Sequence, residues 1–147
     1  MLDLERFGRG DGEAPPPNAA GFEFESEHLA AVRALAAAQA AEAGFPSERV
    51  DDFVIVANEL ASNAVVHGQA PRRVAIWPGR NEMVCEVSNR GRIAGSFSGK
   101  NCALAPERNP ARDGQAGMGL WIVHQLCGQV EVRTGELTTV RAHLAAD

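Results

Sequence analysis

The chain is predicted to adopt an α+β fold: a two-layer sandwich with an antiparallel or mixed sheet covered on one face by helices. Three observations lead there. Three segments carry apolar residues at helical spacing, and two pairs of short segments alternate apolar and polar residues around turn signals. Their order is helix, helix, hairpin, long loop, helix, hairpin, which suits an antiparallel sheet with helices on one side. A length of 147 residues and an apolar fraction of 45% match one domain with a single core.

The elements follow in order. Residues 1–20 carry Gly8, Gly10, Gly12 and Pro15-Pro16-Pro17, the composition of a flexible tail, and the folded domain is expected over 21–147. Gly21 to Glu25 alternates apolar and acidic residues as a short edge strand does. Ser26 is a candidate N-cap for a helix from about Glu27 to Ala43, with Leu29, Val32, Leu35 and Ala36 on one face. Gly44-Phe45-Pro46 interrupts it, and Ser47 is expected to cap a second helix that ends at Gly68.

After Gly68 the period changes to two. Arg73 to Trp77 and Met83 to Ser88 read as strands around the turn Pro78-Gly79-Arg80-Asn81. Arg90 to Gly117 has five glycines, two prolines and little periodicity. So long a stretch without regular structure in a small domain is usually functional. Gly119 to Cys127 reads as a buried helix stopped by Gly128. Val130 to Thr134 and Thr139 to Leu144 close the chain as a hairpin around Gly135-Glu136.

Composition excludes several classes. No run of about 18 apolar residues is present, so no membrane-spanning helix is expected. Residues 1–11 are charged and lack an apolar signal core, which points to a cytoplasmic protein. A net charge of −5 argues against direct nucleic-acid binding. Cys85, Cys102 and Cys127 have no metal-type spacing and read as small apolar residues of a reducing compartment.

The most informative stretch is Glu59-Leu60-Ala61-Ser62-Asn63-Ala64-Val65-Val66-His67-Gly68. It puts a carboxylate, a carboxamide and an imidazole at intervals of four, on one face of an otherwise apolar helix. Glu59 can serve as a general base, and Asn63 offers a carbonyl oxygen of the kind Mg²⁺ prefers. These residues equally suit a helix with ordinary hydrogen-bonded polar groups. Gly117-Met118-Gly119-Leu120 lies where the long loop meets a helix. It reads either as a hinge or as a phosphate cradle of backbone N–H groups at a positive helix end. Ser88-Asn89-Arg90-Gly91 ends a strand and is either a turn or a base-recognition site.

In this order the three motifs resemble the ATP-binding domain shared by DNA gyrase, heat-shock chaperones, histidine kinases and mismatch-repair ATPases, the Bergerat fold. The resemblance covers about Phe22 to Leu144. The box from Glu59 to Gly68, with Gly117 to Val123 and Leu126-Cys127, looks most like the anti-sigma-factor serine kinases, notably their actinobacterial members.

That resemblance implies an ATP- and Mg²⁺-dependent serine/threonine kinase that sequesters a sigma factor and phosphorylates an anti-anti-sigma factor. Glu59 would be the general base and Asn63 the Mg²⁺ ligand. Asn89 and Gly91 would receive the base. Gly117, Met118, Gly119 and Leu120 would close on the phosphates, with Arg108 and Arg112 in the lid before them either reaching the γ-phosphate or remaining solvated. A homodimer is implied by analogy, and His67 would brace the helix end.

One departure concerns Asn89. The family carries aspartate there to accept a hydrogen bond from the adenine amino group. A neutral acceptor is weaker, by roughly 1–2 kcal/mol, so Asn89→Asp is expected to strengthen binding. Ile93 also stands where a second glycine is common. The alternative is therefore a non-catalytic partner-binding module of the same fold. The ATP-binding half of a histidine kinase fits least, because no dimerising helical hairpin with a phospho-acceptor histidine is visible.

Overall fold

The computed structural model describes residues 14–91 and 118–147. Among these, five strands form one sheet: β1 (Ala20–Glu23), β2 (Gln69–Gly79), β3 (Glu82–Arg90), β4 (Gln129–Arg133) and β5 (Leu137–Ala145). The spatial order is β1-β2-β3-β5-β4 and every pairing is antiparallel. The sheet of the predicted sandwich is therefore wholly antiparallel. Helices α1 (Leu29–Glu42), α2 (Ser47–His67) and α3 (Met118–Leu126) complete the fold, and α2 packs against α1, α3 and the sheet.

One shared core explains the one-sided arrangement. Val32, Ala36 and Ala40 of α1 recur every four residues, and Phe53, Val56, Ala57, Leu60, Ala61 and Ala64 form the buried stripe of α2. They meet Val74, Ile76, Met83, Cys85, Val87, Val140, Ala142 and Leu144, which alternate along the central strands and so point to one side of the sheet. Burying each large apolar side chain contributes about 1.5–3 kcal/mol. Cys127 closes the base of α3 with its thiol pushed up to about 12, chiefly by burial.

The helix ends differ from expectation in detail. Ser26 does not cap α1. It opens a short 3-10 turn, Ser26–His28, in which the Glu25 amide donates to His28 Nδ1 at 2.8 Å, and α1 starts at Leu29. Pro46, not Ser47, holds the N-cap of α2. Its φ of −65° suits that extended position, and its carbonyl accepts from the amides of Arg49 and Val50, both at 2.9 Å. The break falls at Gly44, as the sequence predicts: at φ +89° it ends α1, and the amides of Gly44 and Phe45 reach back to the Ala41 and Ala40 carbonyls. That pattern satisfies two terminal carbonyls and seats Phe45 on the core.

The other sheet face is not bare. Ala75, Trp77 and Val84 form a second apolar cluster with Ala19. Arg141 donates to Glu86 Oε1 from Nε at 2.8 Å, and its guanidinium lies 5.1 Å from the Trp77 ring centre. Residues 15–17 line a groove of about 510 Å³ together with Trp77, Glu82 and His143; residues 1–13 of the expected tail lie outside the described residues.

His143, whose sequence position suggests only an incidental polar residue, lies between Glu82 Oε2 at 3.1 Å and Glu131 Oε1 at 3.3 Å. Burial pulls its pKa down, but hydrogen bonds to Glu131 and Glu82 and their charges outweigh this and hold it above the ordinary value. The stability it contributes is therefore complete below the unfolded value of about 6.5 and is lost as pH rises through the folded value. The wild-type Tm should fall more steeply above about pH 6.5 than that of His143→Gln. Parallel curves from thermal melts across pH would show that the two carboxylates do not hold the imidazolium.

Candidate nucleotide site

The candidate site lies where the C-terminal half of α2 meets the end of β3 and the start of β5. Glu59 and Asn63 sit one turn apart beside the buried stripe of α2, and both are half-buried. Among the described residues, no hydrogen bond engages the Glu59 carboxylate or the Asn63 carboxamide. Burial raises the Glu59 pKa above the ordinary carboxylate value, in the direction that suits a general base at neutral pH. Ser62, between them, is spent within the helix, donating to the Asn58 carbonyl at 2.6 Å.

Gly68 occupies the C-cap of α2, as the sequence suggests, but for another reason. Its backbone is extended, φ −107° and ψ −177°, so no left-handed turn requires glycine. A Cβ added there would overlap the Asn89 carboxamide. The first and third sequence motifs thus touch directly, and the missing side chain makes the room.

Asn89 is buried near the end of β3, and Gly91 follows at φ +84°, a conformation that favours glycine. Nδ2 of Asn89 donates to the Arg90 carbonyl at 2.7 Å and, at a longer 3.5 Å, to that of Gly91. Its Oδ1 accepts no hydrogen bond from a described residue.

Two residues here escape sequence reasoning. Thr138 is fully buried, pairs with Asn89 across β3 and β5, and donates its hydroxyl to the Gly91 carbonyl. The hydroxyl pair Thr138-Thr139 at the start of the strand is the one hint. Arg72 is the second. Its Nε donates to the Ala64 carbonyl at 2.9 Å, Nη2 to that of Gly68 at 3.0 Å, and Nη1 to Glu25 Oε1 at 2.6 Å. It stands opposite Asn89 in the β2–β3 register. Arg72, rather than His67, therefore braces the end of α2: a cation meets the carbonyls of the last turn and the C-cap, the first of which also accepts the Gly68 amide, at the negative end of the helix dipole.

The remaining candidates are less fully described. The backbone of Met118, Gly119 and Leu120 forms the first turn of α3. Arg108, Arg112 and Gly117 lie outside the described residues. Among the described residues no cluster of three or more His, Cys, Asp or Glu side chains could hold a metal ion. No described helix is long and apolar enough to cross a membrane.

Residues 22–144 match the histidine kinase-like ATPase domain family. No curated protein sequence matches significantly. Among solved structures, the fold is similar to a chain of the SiaB–SiaC complex from Pseudomonas aeruginosa. The TM-score is 0.64 at 14% identity, covering 85% of this chain and 88% of the other.

Proposed function

The chain belongs to the histidine kinase-like ATPase domain family, and from that membership we propose that it binds ATP and transfers the γ-phosphoryl group to a serine or threonine of an anti-anti-sigma protein. In its other state it sequesters a sigma factor, and it works as a homodimer. The observation that carries this reading is Glu59: a half-buried carboxylate with a raised pKa, one turn before Asn63, neither of them engaged by a described residue.

Each residue has a part. Glu59 takes the proton of the incoming hydroxyl, whose oxygen attacks the γ-phosphorus as ADP leaves. Asn63 fits Mg²⁺, because its carboxamide supplies a hard oxygen that no described residue uses. With no cage of acidic ligands among the described residues, that ion would be shared with phosphate oxygens and water, as Mg²⁺ usually is. When bound it would neutralise phosphate charge. Asn89 and Gly91 hold the base, and the first turn of α3 presents backbone N–H groups to phosphate. Arg108 and Arg112 are proposed γ-phosphate contacts. Positioning and charge neutralisation suffice for phosphoryl transfer, so no further nucleophile is needed. Likeness in fold to a chain from a two-protein complex supports action on a protein partner.

Calorimetry with ATP and ADP tests the proposal. We expect micromolar ATP binding that requires Mg²⁺ and weakens about tenfold or more in Asn63→Ala, roughly 1.4 kcal/mol. Tight binding that ignores both Mg²⁺ and Asn63 would remove the metal-ligand assignment. The second reading, a partner-binding module without nucleotide, is favoured by the neutral Asn89. It predicts no change in Tm on adding Mg²⁺-ATP.

A further inference from the structure

The face of the sheet turned away from the helices buries residues that a bare surface would leave wet. Trp77 is 8% exposed and Val84 2%, and both alternate with residues that point into the helical core. Part of their cover is the chain itself. β1 is an edge strand, and the residues before it turn back over the sheet. The Ala19 amide donates to the Pro16 carbonyl at 2.9 Å, and Ala19 packs on the cluster of Trp77. Residues 14–17 then line a groove of about 510 Å³ whose other walls come from three adjacent strands: Trp77 of β2, Val84 of β3 and Arg141 of β5. Pro15 and Pro16 are half-buried there.

The chemistry of this contact is that of proline recognition. Ala14, Pro15 and Pro16 each precede a proline, which holds them extended, and each ring fixes its own φ near −65°. So stiff a segment loses little freedom on docking against an aromatic wall. Its reach also fits. Four residues of polyproline helix span about 9 Å, and the outer two of three adjacent strands lie about 10 Å apart. Pro15, Pro16 and Pro17 have no N–H to give, so the segment cannot extend the sheet as another strand. The charges around the groove are already matched: Arg141 pairs with Glu86 and lies over Trp77, and His143 stands between Glu82 and Glu131. A neutral segment therefore suits this wall better than a charged one.

We propose that this face is a binding site for short, uncharged proline-rich segments, and that residues 14–17 are its resident ligand, which a proline-rich partner must displace. The site is separate from the nucleotide site, because Glu59 and Asn63 lie on α2, on the other side of the sheet.

Trp77 fluorescence tests this on the full chain, in a Trp121→Phe background that leaves a single indole. Pro15→Gly, Pro16→Gly and Pro17→Gly together should shift Trp77 emission to the red as the indole meets water. A synthetic peptide of residues 14–19, capped at both ends, should reverse that shift, and the same peptide with glycine for each proline should not. The intact resident segment competes at an effective concentration in the millimolar range, so the parent chain should bind the peptide about tenfold more weakly than the glycine variant does. Unchanged emission in the glycine variant would overturn the resident-ligand assignment, and equal binding of the two peptides would overturn the proline site. The Trp77 indole N–H in ¹⁵N spectra of the parent chain gives a second readout that does not depend on the variant folding. It should move on adding excess proline peptide and stay in place with the glycine peptide; no movement with either would overturn the proposal.

Discussion

Glu59→Gln should abolish the proposed phosphoryl transfer while raising the stability of the fold at neutral pH. The amide keeps the size and shape of the side chain but cannot take a proton. Loss of a general base costs about 10²–10⁴-fold in rate. The gain in stability follows from the raised pKa of Glu59, caused by burial. A carboxyl whose folded value exceeds its unfolded value favours the fold most at low pH, and that contribution is lost as pH rises through the folded value. At pH 7 the ionised group opposes folding, and glutamine removes the opposition. The Tm difference should shrink as pH falls toward about 4.3, the unfolded value. Single-turnover transfer to the proposed anti-anti-sigma partner and melts across pH check the two halves separately. Retained transfer would remove Glu59 as the base, and a lower Tm for the variant at pH 7 would contradict the burial argument.

Arg72→Met should cause the largest loss of stability outside the apolar core. Methionine retains a flexible apolar stem, so the lost interactions are the hydrogen bonds to the Ala64 and Gly68 carbonyls and the pair with Glu25. The Arg72 side chain is 13% exposed and that of Glu25 49%, so most of the effect belongs to the two helix-end carbonyls. We expect a cost of about 2–4 kcal/mol, or roughly 5–15 °C in Tm for a chain of this size. The proposed ATP affinity should fall with it, because the guanidinium ties the end of α2 to β2, the strand paired with the one that carries Asn89. Arg72→Lys should restore little, since one ammonium cannot span the carbonyls and Glu25 in fork geometry. A Tm within about 2 °C of wild type for Arg72→Met would show that the clasp is dispensable.

Much of the fold is legible in local patterns. The strands around Arg80-Asn81, the closing hairpin and the three helices each follow from periodicity and turn residues, and all appear with ends shifted by a few residues. Glu59 and Asn63 share a helix face because their spacing alone requires it. The shifts have local causes: Pro46 takes the cap expected of Ser47, and the Glu25–His28 pair takes the one expected of Ser26.

Other features depend on residues distant in sequence. Gly68 is glycine because Asn89, 21 positions later, fills the space, and spacing along one helix cannot reveal that. Arg72 and Thr138 look like ordinary strand residues until β2, β3 and β5 lie side by side. The carboxamide of Asn89 turns its NH₂ to the Arg90 and Gly91 carbonyls at a strand end that Thr138 of β5 also reaches, an orientation the residue's sequence position leaves open. Periodicity and turn chemistry act within a few residues, so the sequence by itself determined the elements and the face that carries Glu59 and Asn63. Hydrogen bonding and steric fit act through space, so only the tertiary structure decided what holds that face in place and how Asn89 is oriented.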